Sequence, residues 1–221
     1  METHLIYPIV GTVIYLSYPK NLEVSRSIVK NIAIVHNTFL TLFSLYTFIN
    51  CLYILMKYGL VFRHNYYFTI PHFDKIMFLF YLSKYYEYID TFLIYLNKKK
   101  PIFLQTFHHI GAVVCWHLCY YYKVDGVFLP TLMNSLVHTV MYTYYLSTLL
   151  KFNLRSIKIY ITSLQMLQFF MGNVVVPLMY YPPIETKFNY SIILLFTSYV
   201  CVLMVLFSLF SYNTYFVKKA V

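Results

Sequence analysis

Charged and polar residues interrupt some of the most apolar stretches of this sequence. The stretch LSKYYEYIDT carries Lys84, Glu87 and Asp90 at intervals of three residues. The next apolar stretch contains QTFHH, in which His108 and His109 are adjacent. Ionisable side chains within an apolar helix usually line a cavity and function there, because leaving them in hydrocarbon is costly. We therefore expect these residues to form a polar site between helices.

Two later apolar stretches carry polar residues at helical spacing as well. NSLVHTVMYTYY contains His138 on a face shared with other polar side chains, and TSLQMLQ repeats a polar residue every third position. Four separate stretches thus bring polar groups to the same half of the predicted bundle. The further residues that we expect to wall and orient this site are Gln105, Asn134, Tyr142, Tyr145, Gln165 and Gln168.

The three histidines of this cluster, His108, His109 and His138, offer three kinds of chemistry. Neutral imidazoles bind metals, transfer protons near neutral pH and attack acyl groups. Membrane di-iron oxidases also carry histidine pairs, but they need many histidines spread over several motifs. The other histidines of this chain lie near the ends of the apolar stretches, in connections, or in the opposite half of a stretch: His4, His36, His64, His72 and His117. A di-iron centre would lack ligands, so we predict no metal.

The composition predicts the solvent in which these stretches lie. Hydrophobic residues make up 60% of the 221 residues and charged residues only 11%, too few charges for the surface of a soluble domain. A bilayer span requires roughly 20 apolar residues. The first apolar stretch, 5–18, is shorter and predicts a short or tilted first span. We predict an all-α polytopic membrane protein with about seven transmembrane helices in one domain, residues 1–221. The long stretches are 33–56, 76–96, 102–122, 128–150, 157–181 and 191–216.

Basic residues predict the orientation of the chain, because positively charged loops stay on the cytosolic side. Most of them fall in alternate connections, which places the C-terminus in the cytosol. Lys218 and Lys219 near the end resemble a dilysine signal for retrieval to the endoplasmic reticulum. The net charge of +10 thus lies mostly on a cytosolic rim, and nothing in the chain suits nucleic acid. The rim residues nearest the polar cluster are Lys98, Lys99, Lys100, Lys151, Arg155 and Lys158.

Four motifs together resemble those of the ELO family of very-long-chain fatty acid elongases. KYYEYIDT resembles its Lys-x-x-Glu-x-x-Asp-Thr motif, and QTFHH its His-x-x-His-His box. NSLVHTVMYTYY and TSLQMLQ match two further motifs in the same order. Gln105 stands where the box has its first histidine. A glutamine can orient neighbouring groups by hydrogen bonds but cannot act as a base.

The resemblance implies an activity and an architecture. Elongases of this family condense an acyl-CoA with malonyl-CoA and release CoA and carbon dioxide, without a redox cofactor. Their six-helix barrel surrounds an acyl-CoA tunnel, and a short first helix packs outside it. The resemblance implies that His108 takes the acyl group as an acyl-imidazole and that His138 lies near the same carbonyl. The implied partners are the lipid bilayer, the two CoA substrates, other enzymes of the elongation cycle and a second copy of the chain.

Physical reasoning assigns roles to the rest of the cluster. Attack of His108 on the thioester divides the condensation into two easier steps. His109 or a nearby carboxylate can orient the His108 ring. His138, Asn134, Tyr142 and Gln165 are candidate donors to the enolate formed by decarboxylation. We expect Lys84 to form an ion pair with Glu87. We expect Asp90 to cap a backbone group or to orient a neighbouring side chain. We expect the basic rim to bind the CoA phosphates and an apolar tunnel to hold the acyl tail, closed by residues such as Trp116, Phe169 and Phe170.

Two other classes of protein remain open. A transporter with a proton relay also places charges near the middle of the membrane, but transporters usually carry internal repeats and interrupted helices. A seven-span receptor would carry its own signatures. Covalent turnover on His108 distinguishes the elongase from both, and loss of activity on metal chelation would favour the oxidase class.

Overall fold

The computed structural model describes residues 3–19, 22–61, 66–179 and 187–217, with backbone alone for Thr3, Arg155, 175–179 and 187–189. These residues are almost entirely helical. The predicted signal at Lys218 and Lys219 lies outside them. Within the described residues, eight α-helices follow one another: α1 (Ile6–Leu16), α2 (Arg26–Tyr58), α3 (Pro71–Tyr86), α4 (Tyr88–Leu96), α5 (Phe103–Tyr121), α6 (Phe128–Leu149), α7 (Lys158–Met179) and α8 (Lys187–Tyr215).

The apolar stretches are helical as predicted, with two differences. α2 begins at Arg26, well before the predicted start of its span, because Ser25 caps it and accepts a hydrogen bond from the Ile28 amide at 3.4 Å. The stretch 76–96 is divided at Glu87 into α3 and α4. The Asp90 amide bonds to the Glu87 carbonyl, a tightened turn in the middle of the charged motif.

Local signals in the sequence set the other helix ends. Pro71 opens α3, where its missing amide hydrogen costs nothing, and Gly59 ends α2 at a φ of 73°. α4, α5 and α6 are each followed, two residues after the last helical residue, by a lysine with positive φ: Lys98, Lys123 and Lys151. In each case the following amide reaches back to a carbonyl five residues earlier, the pattern of a Schellman cap. A cation at this position also complements the negative end of the helix dipole.

The helices pack side by side in a closed order. α2 packs along α6, α6 along α7, and α7 along α8; α8 packs along α5, and α5 along α3, which returns to α2. α4 continues α3 and contacts α2 and α5. α1 packs beside α5, and Tyr15 of α1 bonds to Thr91 of α4 at 2.9 Å. The polar residues of α4 to α7 therefore meet inside a cycle of helices.

The distribution of polarity is the reverse of that in a soluble protein. The outward face of α2 exposes apolar side chains at every seventh residue, from Ile28 through Val35 and Leu42 to Met56, which is 80% exposed. Charged and polar side chains lie inside instead: Lys84 is 1% exposed and Glu87 2%. Large continuous apolar surfaces of this kind suit contact with lipid, and they fit a membrane protein.

Two of the described helices are long and apolar enough to cross a membrane by length and composition: α2 and the part Tyr190–Tyr215 of α8. The core helix of a soluble protein passes the same test, but such a helix is mostly buried. In the most apolar segment of α2 only 28% of the residues are buried, and in that of α8 only 22%. α5, α6 and α7 carry the inward polar residues, which lower their mean hydropathy.

Candidate active site

A cavity of about 420 Å³ lies inside the cycle of helices. Every residue predicted to wall the site borders it except Lys84, which lies behind Glu87. The polar residues that line the cavity are Glu87, Asp90, Gln105, His108, His109, Asn134, His138, Tyr142, Tyr144, Tyr145, Lys158, Thr162, Gln165 and Gln168. The structure thus brings together four motifs that lie far apart in the sequence.

Lys84 is the centre of a buried network at the base of the cavity. Its Nζ donates to Glu87 Oε1 at 2.7 Å and to Asn134 Oδ1 at 2.9 Å. The ammonium also lies 4.1 Å from the centre of the Phe80 ring, a cation–π distance. On the other side, Glu87 Oε1 lies 3.4 Å from Nδ1 of His138. The pair of charges therefore joins α3 to α6 and fixes one nitrogen of His138.

His108 is held by a residue that the sequence pattern does not single out. Its Nδ1 lies 3.1 Å from the hydroxyl of Tyr199 in α8, and the same hydroxyl donates to the His108 carbonyl at 2.8 Å. The prediction that His109 or a carboxylate orients His108 is wrong for this structure. His109 packs its ring 5.5 Å from that of His108, and its buried Nδ1 has no hydrogen-bond partner among the described residues.

Asp90 lies between two other helices. It accepts a hydrogen bond from the Tyr142 hydroxyl at 2.7 Å, and its other oxygen lies 2.9 Å from Nε2 of His36. The prediction that His36 lies outside the cluster is wrong, because α2 begins earlier than its apolar run and carries His36 to a buried position, 2% exposed. Asp90 thus orients Tyr142 and joins α4 to α2 and α6.

The glutamines and Tyr145 lie along the cavity wall. Gln165 donates to the sulfur of Met141 at 3.3 Å, which leaves its amide oxygen as a possible acceptor in the cavity. Gln168 is buried, whereas Tyr145 lines the cavity and remains 41% exposed. Gln105 borders the cavity beside His108. These side chains can position a substrate by hydrogen bonds.

Two small cavities continue from the main one, away from the basic rim. The first, of about 30 Å³, shares His108, Asn134, Gln168 and Phe169 with the main cavity, and the second, of about 20 Å³, shares Gly172 with the first. Their walls are mainly apolar. Trp116 borders the first of them, but Phe170 is 52% exposed on the outer face of α7, so its predicted place at the end of the tunnel is wrong.

Glu87, His108 and His138 also form a possible metal-binding group. One ligand atom from each lies within 4.8 Å of the others. The Lys84 ammonium, however, already binds the Glu87 carboxylate, and a second cation beside it in a buried site would be repelled. The charges at this position therefore disfavour a metal.

The basic rim lies at the helix ends nearest the main cavity. Lys158, in the first turn of α7, lines the cavity and is exposed. Lys99, Lys100 and Lys151 are exposed as well. Lys98 differs, because its Nζ donates to the Leu22 carbonyl at 2.9 Å and thereby holds the segment before α2. The side chain of Arg155 lies outside the described residues. Among the rim cations whose side chains the structure describes, Lys158 is thus the one that lines the cavity.

Tyr199 and His36 are polar residues near the site that sequence reasoning missed. Tyr199 is one of 26 tyrosines and follows no polar periodicity that would distinguish it. The feature that marks the position of Tyr199 is its neighbour Gly111 of α5, where a Cβ would overlap the Tyr199 ring. That contact connects two helices far apart in the chain, and a single sequence does not reveal it.

Comparison with known proteins points in one direction. The sequence model of the GNS1/SUR4 family (ELO) matches residues 3–221. The chain is 45% identical to fatty acid elongase sre1 of Dictyostelium discoideum over 101 residues, which are 45% of this chain and 37% of that protein. It is 33% identical to fatty acid elongase A of the same organism over 159 residues, 66% of this chain and 57% of that protein.

A third relative comes from a different organism. The chain is 39% identical to very long chain fatty acid elongase 4 of Trypanosoma cruzi (strain CL Brener) over 104 residues, 45% of this chain and 36% of that protein. The chain therefore spans between 36% and 57% of the length of these curated relatives.

Proposed function

Because the chain belongs to the GNS1/SUR4 (ELO) family, whose matched relatives are fatty acid elongases, we propose that it condenses a long-chain acyl-CoA with malonyl-CoA. The product is a 3-ketoacyl-CoA two carbons longer, and CoA and carbon dioxide are released. The main support for the proposal is that His108 and His138 line the same cavity. The buried ion pair of Lys84 and Glu87 lies beside them. In class, the enzyme is an acyltransferase, a 3-oxoacyl-CoA synthase.

The first step is transfer of the acyl group to His108. Its imidazole borders both the main cavity and the first small one, so a thioester carbonyl beside it has room for CoA on one side and for the tail on the other. Nucleophilic attack forms an acyl-imidazole and divides the condensation into two easier steps. The apolar walls limit access of water, which would otherwise hydrolyse the intermediate.

The second step is decarboxylation of malonyl-CoA and attack of the resulting enolate on the acyl group. Developing negative charge needs hydrogen-bond donors that are already in place. Asn134 accepts the hydrogen bond of Lys84 at Oδ1, so its amide hydrogens remain available to the cavity that it lines. His138 directs Nδ1 at the Glu87 carboxylate, so a neutral ring has its hydrogen on Nδ1 and presents Nε2 to the substrate as an acceptor. Asn134 is therefore the better-supported donor, and His138 donates from Nε2 only when its ring is protonated.

The surroundings of the cavity support the same substrates. Lys158 at the mouth can meet a CoA phosphate, and the mainly apolar cavities beyond His108 suit a hydrocarbon tail. The proposed enzyme uses neither a metal nor a redox cofactor. It lies in the endoplasmic reticulum membrane with seven spans, six of them in a barrel, and a cytosolic C-terminus. Its proposed partners are the enzymes that complete each elongation cycle and a second copy of the chain.

The experiment that tests the proposal is incorporation of labelled malonyl-CoA carbon into lipid. Membranes that contain the full chain are offered acyl-CoAs of different lengths, beside the variants His108→Ala and His72→Ala. His72 is the matched control, because it is exposed and bonds to Asn50 at 2.7 Å, outside the cavity. We expect a 3-ketoacyl product from the wild type and His72→Ala, and none from His108→Ala. If folded wild-type protein yields no product from any acyl-CoA, the proposal fails.

A further inference from the structure

The contact between Tyr199 and His108 fixes more than the position of a ring. The Tyr199 hydroxyl lies 2.8 Å from the His108 carbonyl oxygen and 3.1 Å from its Nδ1, and the tyrosine is 8% exposed. A phenol has one hydrogen to donate, and a carbonyl oxygen can only accept. The Tyr199 hydrogen therefore goes to the carbonyl, and Nδ1 must supply the hydrogen of the second contact.

This assignment determines the tautomer of His108. A neutral imidazole carries one N–H, and here it lies on Nδ1 and donates to the Tyr199 oxygen. Nε2 then holds a free electron pair. We propose that Tyr199 is a positioning residue that keeps His108 in the Nδ1–H tautomer, so that Nε2 is the nitrogen that attacks the thioester. This inference rests on the proposed elongase reaction and assigns Tyr199 a role in its first step.

The packing around Tyr199 supports a dedicated contact. Gly111, one turn of α5 beyond His108, lies directly beneath the Tyr199 ring, and any Cβ there would overlap the ring carbons. The ring also packs 5.5 Å from that of Phe107. A glycine in the middle of a helix lowers the stability of that helix relative to alanine. Its presence here lets the tyrosine approach the backbone closely enough to reach the His108 carbonyl.

A neutral phenol behind the imidazole differs from the carboxylate that often holds a catalytic histidine. Attack by Nε2 forms the N–C bond, breaks the C–S bond and leaves the electron pair on the sulfur of CoA. The hydrogen on Nδ1 stays, so a cationic acyl-imidazolium balances the charge of the thiolate until CoA leaves the cavity, and the thiolate is then protonated by the bulk buffer. Enolate attack then breaks the N–C bond and returns the pair to Nε2. Because the phenol carries no charge, the acyl group stays electrophilic for that second step.

The test separates the two half-reactions in the purified full chain with Tyr199→Phe. Phenylalanine keeps the ring packed on Gly111 and removes only the hydroxyl. The enzyme is mixed with acyl-CoA alone, and the CoA released in the first turnover is followed by chromatography, since exposed Cys201 would react with a thiol reagent. We expect release about tenfold slower than in the wild type, the loss that corresponds to one hydrogen bond.

Three further readings distinguish positioning from a structural role. The KM for acyl-CoA should change less than about twofold, and the preformed acyl-enzyme should react with malonyl-CoA at the wild-type rate, because the adduct is already attached to Nε2. Tyr212→Phe, at an exposed position of the same helix, should match the wild type. The thermal midpoint of each variant reports folding.

The inference is overturned if Tyr199→Phe releases CoA as fast as the wild type, or if its loss lies in KM or in thermal stability rather than in the first step. Failure of the elongase proposal gives a different result. In that case the wild type itself releases no CoA from any acyl-CoA and forms no adduct on His108.

Discussion

Removing the ammonium of Lys84 should destabilise the protein as well as inactivate it. In Lys84→Met the side chain keeps nearly its length and loses its charge. The Glu87 carboxylate, 2% exposed, then keeps Nδ1 of His138 at 3.4 Å but has lost its ammonium partner. Asn134 also loses the donor that lies 2.9 Å from its Oδ1.

The size of the effect follows from burial. Breaking a buried ion pair by removing one partner costs about 3–5 kcal/mol, because the other charge stays without compensation. For a chain of this size that corresponds to a fall in the thermal midpoint of roughly 6–20 °C. The matched control is Lys123→Met, which breaks the pair of Lys123 with Asp74 at positions 41% and 38% exposed. Exposed pairs of this kind contribute about 0–1 kcal/mol.

The assay is thermal unfolding of detergent-purified protein, followed by loss of the monodisperse species, with elongase activity measured in parallel. The double variant Lys84→Met, Glu87→Leu should recover most of the stability, since replacing both charges by apolar groups is nearly neutral. It should stay inactive, because Glu87 no longer fixes His138. If Lys84→Met melts as high as Lys123→Met, the two residues do not form a charged pair in the folded protein, and the reasoning is refuted.

Three further predictions concern helix contacts and the cavity mouth. Gly111→Ala, which would stabilise an ordinary helix by about 0.5–1 kcal/mol, should instead lower the thermal midpoint and the activity, because its methyl group displaces the Tyr199 ring; an unchanged midpoint would contradict this packing. His36→Leu should lower stability by about 1.5–3 kcal/mol, the value of a hydrogen bond to the Asp90 carboxylate; unfolding curves test it. Lys158→Ala should raise the KM for CoA substrates about fivefold with little change in kcat, and the difference should shrink at high salt.

The helices and the polar cluster could be predicted from the sequence because both depend on short-range spacing. Apolar stretches long enough to span a bilayer predict the helices, and polar residues within them must face inward, since lipid cannot solvate them. Spacing also favours the pair of Lys84 and Glu87, which lie three residues apart on one chain segment. None of this needs knowledge of which helices are neighbours.

The missed contacts all depend on helix neighbours. Asp90 bonds to His36 across 54 positions of the chain, and His108 to Tyr199 across 91. Both distant partners lie in apolar surroundings where histidine and tyrosine have ordinary packing roles. The break at Glu87 was missed for another reason, since no glycine or proline marks it in the sequence and the tightened turn arises in the packed structure.

The contacts that build the site are also those that hold the helices together. Between helices in lipid the hydrophobic effect provides little attraction, so packing and polar contacts across helices must supply it. Here Lys84 joins α3 to α6, Asp90 joins α4 to α2 and α6, and Tyr199 joins α8 to α5. Each of these contacts also orients a group of the cavity wall. The proposed catalytic arrangement therefore forms only when these helices are assembled, and a substitution in the polar network should lower stability and activity together. Tyr199→Phe, which keeps the ring packed on Gly111 and removes only the hydroxyl, should lower activity far more than stability.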